Sequence, residues 1–356
     1  MWTDSVESIS QLIYYDSQDP DIVIKQISLL AVLSSFLLLA TTALNSGILR
    51  AQQLVLNTAE SKTIATTVNE NDPYKSRFFR VRGAPRVTVN TVSGDVEVYE
   101  NEALDGVQVD LYVNRSFSLW SGARNLDNYR IILQQRGDHI IASVEDKRSG
   151  RNYKADAGIE FNFVIQTPAK ASVEIQSMAG DISVQGISGK HFIQNHTGDI
   201  DLWKVEGETR ISSTAGNLGV AENRGILFMK TVTGNILVER SSGEVRLKSV
   251  EGNVELHEIE GTLVTSTVTG NIFSQFTEVT KGIFMESISG SINLIIPGRN
   301  GYQITAEAME FDFDELDLTD SETNMEFRNA SLTIRDGQIP INLASVSGKI
   351  TVKENN

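Results

Sequence analysis

Seven carboxylates crowd the segment from Glu310 to Glu322: Glu310, Asp312, Asp314, Glu315, Asp317, Asp320 and Glu322, with no basic residue among them. Hard cations are held by clustered oxygen ligands, which makes Asp312, Asp314 and Asp317 weak candidates for a metal site. Phe311, Phe313, Leu316 and Leu318 partly alternate with these acids. That pattern also reads as a half-buried strand shedding its acidic side to solvent. A second set of side-chain oxygens, from Asp or Asn, recurs after glycines: Asp181, Asp199, Asn217, Asn235, Asn253 and Asn271. Calcium between coils needs repeated carboxylates, and four of these six are amides, so a ladder bonded level to level is the expectation. Asp199 and Asp201 form a same-side pair of the kind glycosidases use, and strand surfaces produce such pairs by accident.

Other chemistry is absent from the sequence. Zero cysteines exclude thiol catalysis, disulfides and cysteine zinc sites. There is no Gly-x-Ser-x-Gly elbow, phosphate loop, dinucleotide fingerprint or His-Glu-x-x-His. His191 and His196 fall at positions that read as inward. The expectation is a protein with no cofactor, no resident metal and no enzymatic activity.

Hydroxyls form the remaining array. At the third and first residues before a recurring glycine stand Ser213, Thr231 with Thr233, Thr267 with Thr269, and Ser287 with Ser289, joined by Thr197. Alternation along a strand predicts two hydroxyl columns on one face. Such a face suits carbohydrate, another solenoid or ordered water; equally, Ser and Thr satisfy strand propensity and solvate a surface. Phe192, Phe228, Phe273 and Trp203 take positions read as outward.

The elements that would position these residues follow from glycine. Gly180, Gly189, Gly198, Gly207, Gly216, Gly225, Gly234, Gly243, Gly252, Gly261 and Gly270 stand nine residues apart without a break. Every second one opens a phrase such as Gly198-Asp199-Ile200 or Gly234-Asn235-Ile236. Positions +2 and +4 after the glycine are apolar, the period-two mark of a strand. Position +7 is often apolar as well and reads as inward: Ile187, Val205, Val232, Val250, Ile259 and Val268. Two nine-residue half-turns make a coil of eighteen, and one coil cannot bury its own apolar side, so coils must stack. The fold class is all-β, a parallel β-solenoid over residues 83–356, with regular coils at about 177–292.

Residues 27–44 are apolar and long enough to cross a bilayer at about 1.5 Å per residue. They assign residues 26–49 to a transmembrane anchor or a cleaved signal segment, behind an acidic segment 1–25 and ahead of a polar stalk 50–82. A net charge of −15 excludes a nucleic-acid partner. It fits a solenoid exported to the cell envelope, outside the cytoplasm.

The phrases Thr91-Val92-Ser93-Gly94-Asp95-Val96 and Thr231-Val232-Thr233-Gly234-Asn235-Ile236 carry a resemblance. So do the entry Phe163-Val164-Ile165-Gln166-Thr167-Pro168-Ala169 and the closing Ser345-Val346-Ser347-Gly348-Lys349-Ile350. Residues 83–356 resemble the bacterial putative-adhesin β-strand-repeat family, a domain of unknown function. The resemblance implies an envelope-associated β-solenoid with an adhesive or scaffolding role and brings no catalytic residues. The leading reading is a membrane-anchored protein whose solenoid meets a carbohydrate, an envelope protein or another copy of itself. An envelope sensor with residues 1–25 as its cytoplasmic contact is the alternative, and a carbohydrate-active β-helix enzyme is the third.

Overall fold

The structure is a computed structural model that describes residues 72–115, 126–147, 159–314, 316–324 and 328–355. Residues Asp72–Asn356 form one unit. The acidic segment, the anchor at 26–49 and the stalk up to residue 71 lie outside the described residues. Among the described residues, no helix is long and apolar enough to cross a membrane. Within the stretch read as stalk, Lys75–Arg80 is a strand, paired antiparallel with Gly106–Arg115.

The regular part is a parallel β-solenoid with coils of eighteen residues. Successive coils from Ile200 to Glu251 have a four-residue strand, such as Leu218–Ala221 or Ile236–Glu239, and a ten-residue strand, such as Glu206–Ala215 or Arg224–Thr233. In the next two the pair runs on as one strand, Val254–Thr269 and Ile272–Ser289. Long strands stack on long and short on short, all parallel, with Asn195 opposite Ser213 and Leu218 opposite Ile236. Alternation sends every second side chain inward. Ile182, Ile200, Leu218, Ile236 and Val254 thus form one buried column, and Val184, Leu202, Val220, Val238 and Leu256 a second. Ile175, Ile193, Ile211, Met229 and Leu247 line the long strands from inside. Each such side chain contributes about 1.5–3 kcal/mol by leaving water, so stacking supplies what a lone coil lacks.

Glycine holds the corner for two reasons. Gly234 has φ +140°, and a Cβ there would lie 2.0 Å from the carbonyl oxygen of Gly216 one level below. Beside it runs the side-chain ladder. Asp181 Oδ1 accepts from the Asp199 amide at 2.9 Å, Asp199 from Asn217 at 2.7 Å, Asn217 from Asn235 at 3.0 Å and Asn235 from Asn253 at 2.9 Å. Asn253 and Asn271 continue it to Ser291. Only one acceptor oxygen is used per level, so Asp and Asn are interchangeable in the ladder.

The two ends depart from simple stacking. Arg86–Thr91 lies between His139–Asp146 and Ser172–Ala179, so the first coil is sandwiched by two later ones. At the other end, Ile339–Ser345 sits between Ile272–Ser289 and Tyr302–Glu307. Lys349–Asn355 likewise sits between Ile292–Pro297 and Glu310–Asp312. Antiparallel strands finish both ends, Tyr129–Arg136 on His139–Asp146 and Asn329–Ile334 on Tyr302–Glu307. On the long-strand side such ends replace a bare parallel edge with an antiparallel strand, and the short outer strand Glu310–Asp312 carries acidic side chains, which also discourage edge pairing.

Candidate functional site

The long strands present one broad outer face. Counting back from the glycine that opens each short strand, positions −6, −4 and −2 point outward. Successive levels show Phe228, Lys230 and Val232; Arg246, Lys248 and Val250; Val264, Ser266 and Val268; Phe284, Glu286 and Ile288. Strand Ile339–Ser345 adds the next level, and the Val346 amide continues the ladder by donating to Ser287 O at 3.2 Å. The −2 column is therefore Val232, Val250, Val268, Ile288 and Val346, five apolar side chains in a row and 39% to 68% exposed. Val264 and Phe284 extend the patch sideways, and Met309 is exposed beyond its far end. Contiguous exposed apolar surface marks an interaction site far more often than scattered residues do.

The charges on this face divide into committed and free. Arg210 Nε donates to Glu208 at 2.8 Å, and Arg246 is bound to Glu244. Both guanidinium groups lie over the Phe228 ring, at 5.1 and 5.8 Å from its centroid. Lys248 and Glu286 form no ion pair among the described residues, although they flank the centre of the apolar patch.

The hydroxyl array read from the sequence splits in two. Ser213, Thr231, Thr267 and Ser287 are buried, and the expectation that they form an exposed column is corrected. Each closes the corner instead: Thr231 donates to Thr233 O at 3.3 Å, Ser213 to Ala215 O at 3.4 Å, Thr267 to Gly252 O at 3.3 Å and Ser287 to Gly270 O at 3.1 Å. Thr197, Thr233, Thr269 and Ser289 are exposed at the rim, where the chain turns and parity breaks.

The +7 expectation fails for the same reason. Ile187, Val205 and Ile259 are buried, but Val232, Val250 and Val268 face water. The half-turns are unequal. The short one bends at residues such as Lys204 and Glu222, with φ 53° and 55°, while the long one runs straight, so the seventh residue is outward. The signal for the patch was in the sequence as apolar residues eighteen apart. Strict alternation through the ten-residue strand would have turned them outward. His196 is outward by the same parity, hydrogen-bonded to Thr214 Oγ1 at 3.2 Å.

The remaining candidates do not converge. Asp312 and Glu310 both bind Lys349 Nζ at 3.1 Å, and that ammonium holds the Asp312 carboxyl below its usual range. Asp314 is exposed, as is Asp317, and among the described residues no three His, Asp or Glu side chains gather to hold a metal. Asp199 is tied to the Asn217 amide. The carboxyl of Asp201 lies against Gly219, and lost hydration, then Asp199 and Asp181, push it up to about 6. His191 is buried, its Nε2 3.4 Å from Glu206 O, and burial lowers it to about 4. At the opposite corner a groove of about 600 Å³ is lined by Lys204, Glu222, Arg240 and Glu258, whose charges alternate and offset one another.

The Toastrack DUF4097 family model matches residues 16–248 and, again, 229–353. A putative cell adhesion protein from Clostridium sporogenes ATCC 15579 is similar in structure, at 12% identity and TM-score 0.21, over 79% of this chain and 98% of that one. A putative adhesin from Bacteroides fragilis NCTC 9343 is similar at 13% identity and TM-score 0.37, over 79% and 96%. No curated protein matches the chain.

Proposed function

Since this chain belongs to the Toastrack DUF4097 family, we propose that it is a non-enzymatic envelope protein presenting a rigid β-solenoid as an adhesion or interaction surface. Residues 26–49 anchor it in the membrane, with the solenoid outside the cytoplasm. The observation that supports this reading is the outer face of the long strands, where an apolar column repeats at five successive levels beside a hydroxyl rim. A stacked fold repeats one weak contact per level, so avidity takes the place of a deep pocket. Acidic side chains elsewhere keep the surface soluble.

Protease shaving of intact cells tests it, with blotting for the C-terminal residues near Lys353 and an outer-membrane-permeabilised control. Digestion on intact cells is the result expected of a surface adhesin. Digestion only after permeabilisation would move the solenoid to the periplasm and turn adhesion into scaffolding or sensing. Protection in both would overturn export.

A further inference from the structure

The partner of the long-strand face can be taken one step further, resting on the reading of that face as an interaction surface. We propose that a second copy of this chain occupies it, coil axis antiparallel, about a two-fold axis that runs along residues 264–269 of strand Val254–Thr269 in the plane of the face. An isologous interface requires a surface that is complementary to itself after rotation. Rotation about this axis reverses the order of levels and keeps each column opposite itself. Val232 then meets Val346, Val250 meets Ile288, and Val268 meets Val268. Lys248 meets Glu286 twice, once on each side of the axis, and both charges are free for it.

The alternative two-fold, along the coil axis, keeps each level opposite itself and reverses the columns. It sets Lys230 on Lys230 and Lys248 on Lys248, so like charges oppose it. The size also fits. Five levels about 4.8 Å apart and seven residues of about 3.3 Å span roughly 24 by 23 Å, or about 550 Å² per copy. Two copies bury about 1,100 Å², the low end of specific interfaces, as befits a reversible dimer.

The test uses the full-length chain in detergent solution. Sedimentation should show a dimer at tens of micromolar. Lys248→Glu and Glu286→Lys should each weaken it by about tenfold or more, because each places two like-charged pairs in the interface. The combined variant should restore it to within about threefold. The chain lacks cysteine, and facing sheets lie about 10 Å apart, too far for a disulfide. Ser266→Cys should therefore give a covalent dimer with a short bismaleimide, whereas Asn293→Cys on the short-strand face should not. A monomer overturns the proposal. So does a dimer indifferent to both charge reversals, which would place the contact elsewhere, residues 27–44 included. So does failure of the combined variant to recover while its melting curve stays that of the parent. None of these results bears on protease accessibility in cells, so the two readings fail separately.

Discussion

At the scale of single residues, glycine and histidine carry sharper consequences than the abundant hydroxyls. Gly234 and Gly137 both have positive φ, +140° and +64°, but they differ in surroundings. A Cβ at Gly137 meets nothing within 4 Å, while one at Gly234 would strike the Gly216 carbonyl oxygen at 2.0 Å. Gly137→Ala should therefore cost about 1 kcal/mol, the backbone penalty alone. Gly234→Ala should cost about 3 kcal/mol or more, because the carbonyl it meets is held in the sheet ladder. Urea midpoints of the two variants check the difference. His191 is the acid-sensitive point: its folded pKa of about 4 lies below the unfolded value near 6.5. Its contribution is complete above about pH 6.5 and is lost as pH falls toward 4, reaching on the order of 3 kcal/mol. His191→Val, matching Val173 and Val245 in the same inward column, should remove most of that loss between pH 7 and pH 4.5. Asp201 acts with the opposite sign. Lost hydration and its acidic neighbours raise it to about 6, but the residue is exposed, so solvent screens the effect. Its contribution, present below about pH 4 and lost as pH climbs through 6, is small. The variant-minus-parent difference isolates His191 from it.

At the scale of elements, the corner ladder explains why its column mixes acids with amides. Each side chain needs one oxygen to accept the amide of the next level, and Asn235 does so for Asn253 at 2.9 Å. Asn235→Ala should cost about 1 kcal/mol, as an ordinary lost hydrogen bond does. Asn235→Asp should stay within about 0.5 kcal/mol, since Asp181 and Asp199 fill the same role two and three levels away. Added calcium should leave the melting point of Asn235→Asp unchanged; a calcium-dependent rise would reinstate ion binding in the column. The strands themselves were legible in the sequence, because glycine spacing and the +2 and +4 residues act locally. The face was not. Treating the two half-turns as equal sent Val232, Val250 and Val268 inward and Thr231 and Thr267 outward, the reverse of what the ten-residue strand enforces. One bend at residues like Glu222, with φ 55°, decides that parity, and nothing in the residue type at that position announces it.

At the scale of the whole solenoid, the interleaved ends change what a deletion does. Removing an outermost repeat from an ordinary stack strips one interface and leaves the rest intact. Here the last strands in sequence are not the outermost in space. Ile339–Ser345 and Lys349–Asn355 separate the level of Ile272–Ser289 from that of Tyr302–Glu307. The sequence conceals this, because the ladder step grows from 18 residues to 20 at Ser291 and to 58 at Lys349, so local periodicity no longer reports which levels touch. Truncation after Gly337 should therefore unfold two levels. The amides and carbonyls of Tyr302–Glu307 lose their parallel partner, and Ile341, Leu343, Ile350 and Val352 no longer fill the core between them. Hydrogen exchange on the truncated chain should show protection lost across 302–334 and weakened along Ile272–Pro297, with Glu206–Glu251 unaffected. Loss confined to the deleted residues would mean that Tyr302–Glu307 can close onto Ile272–Ser289 directly, and that the inserted coil is dispensable.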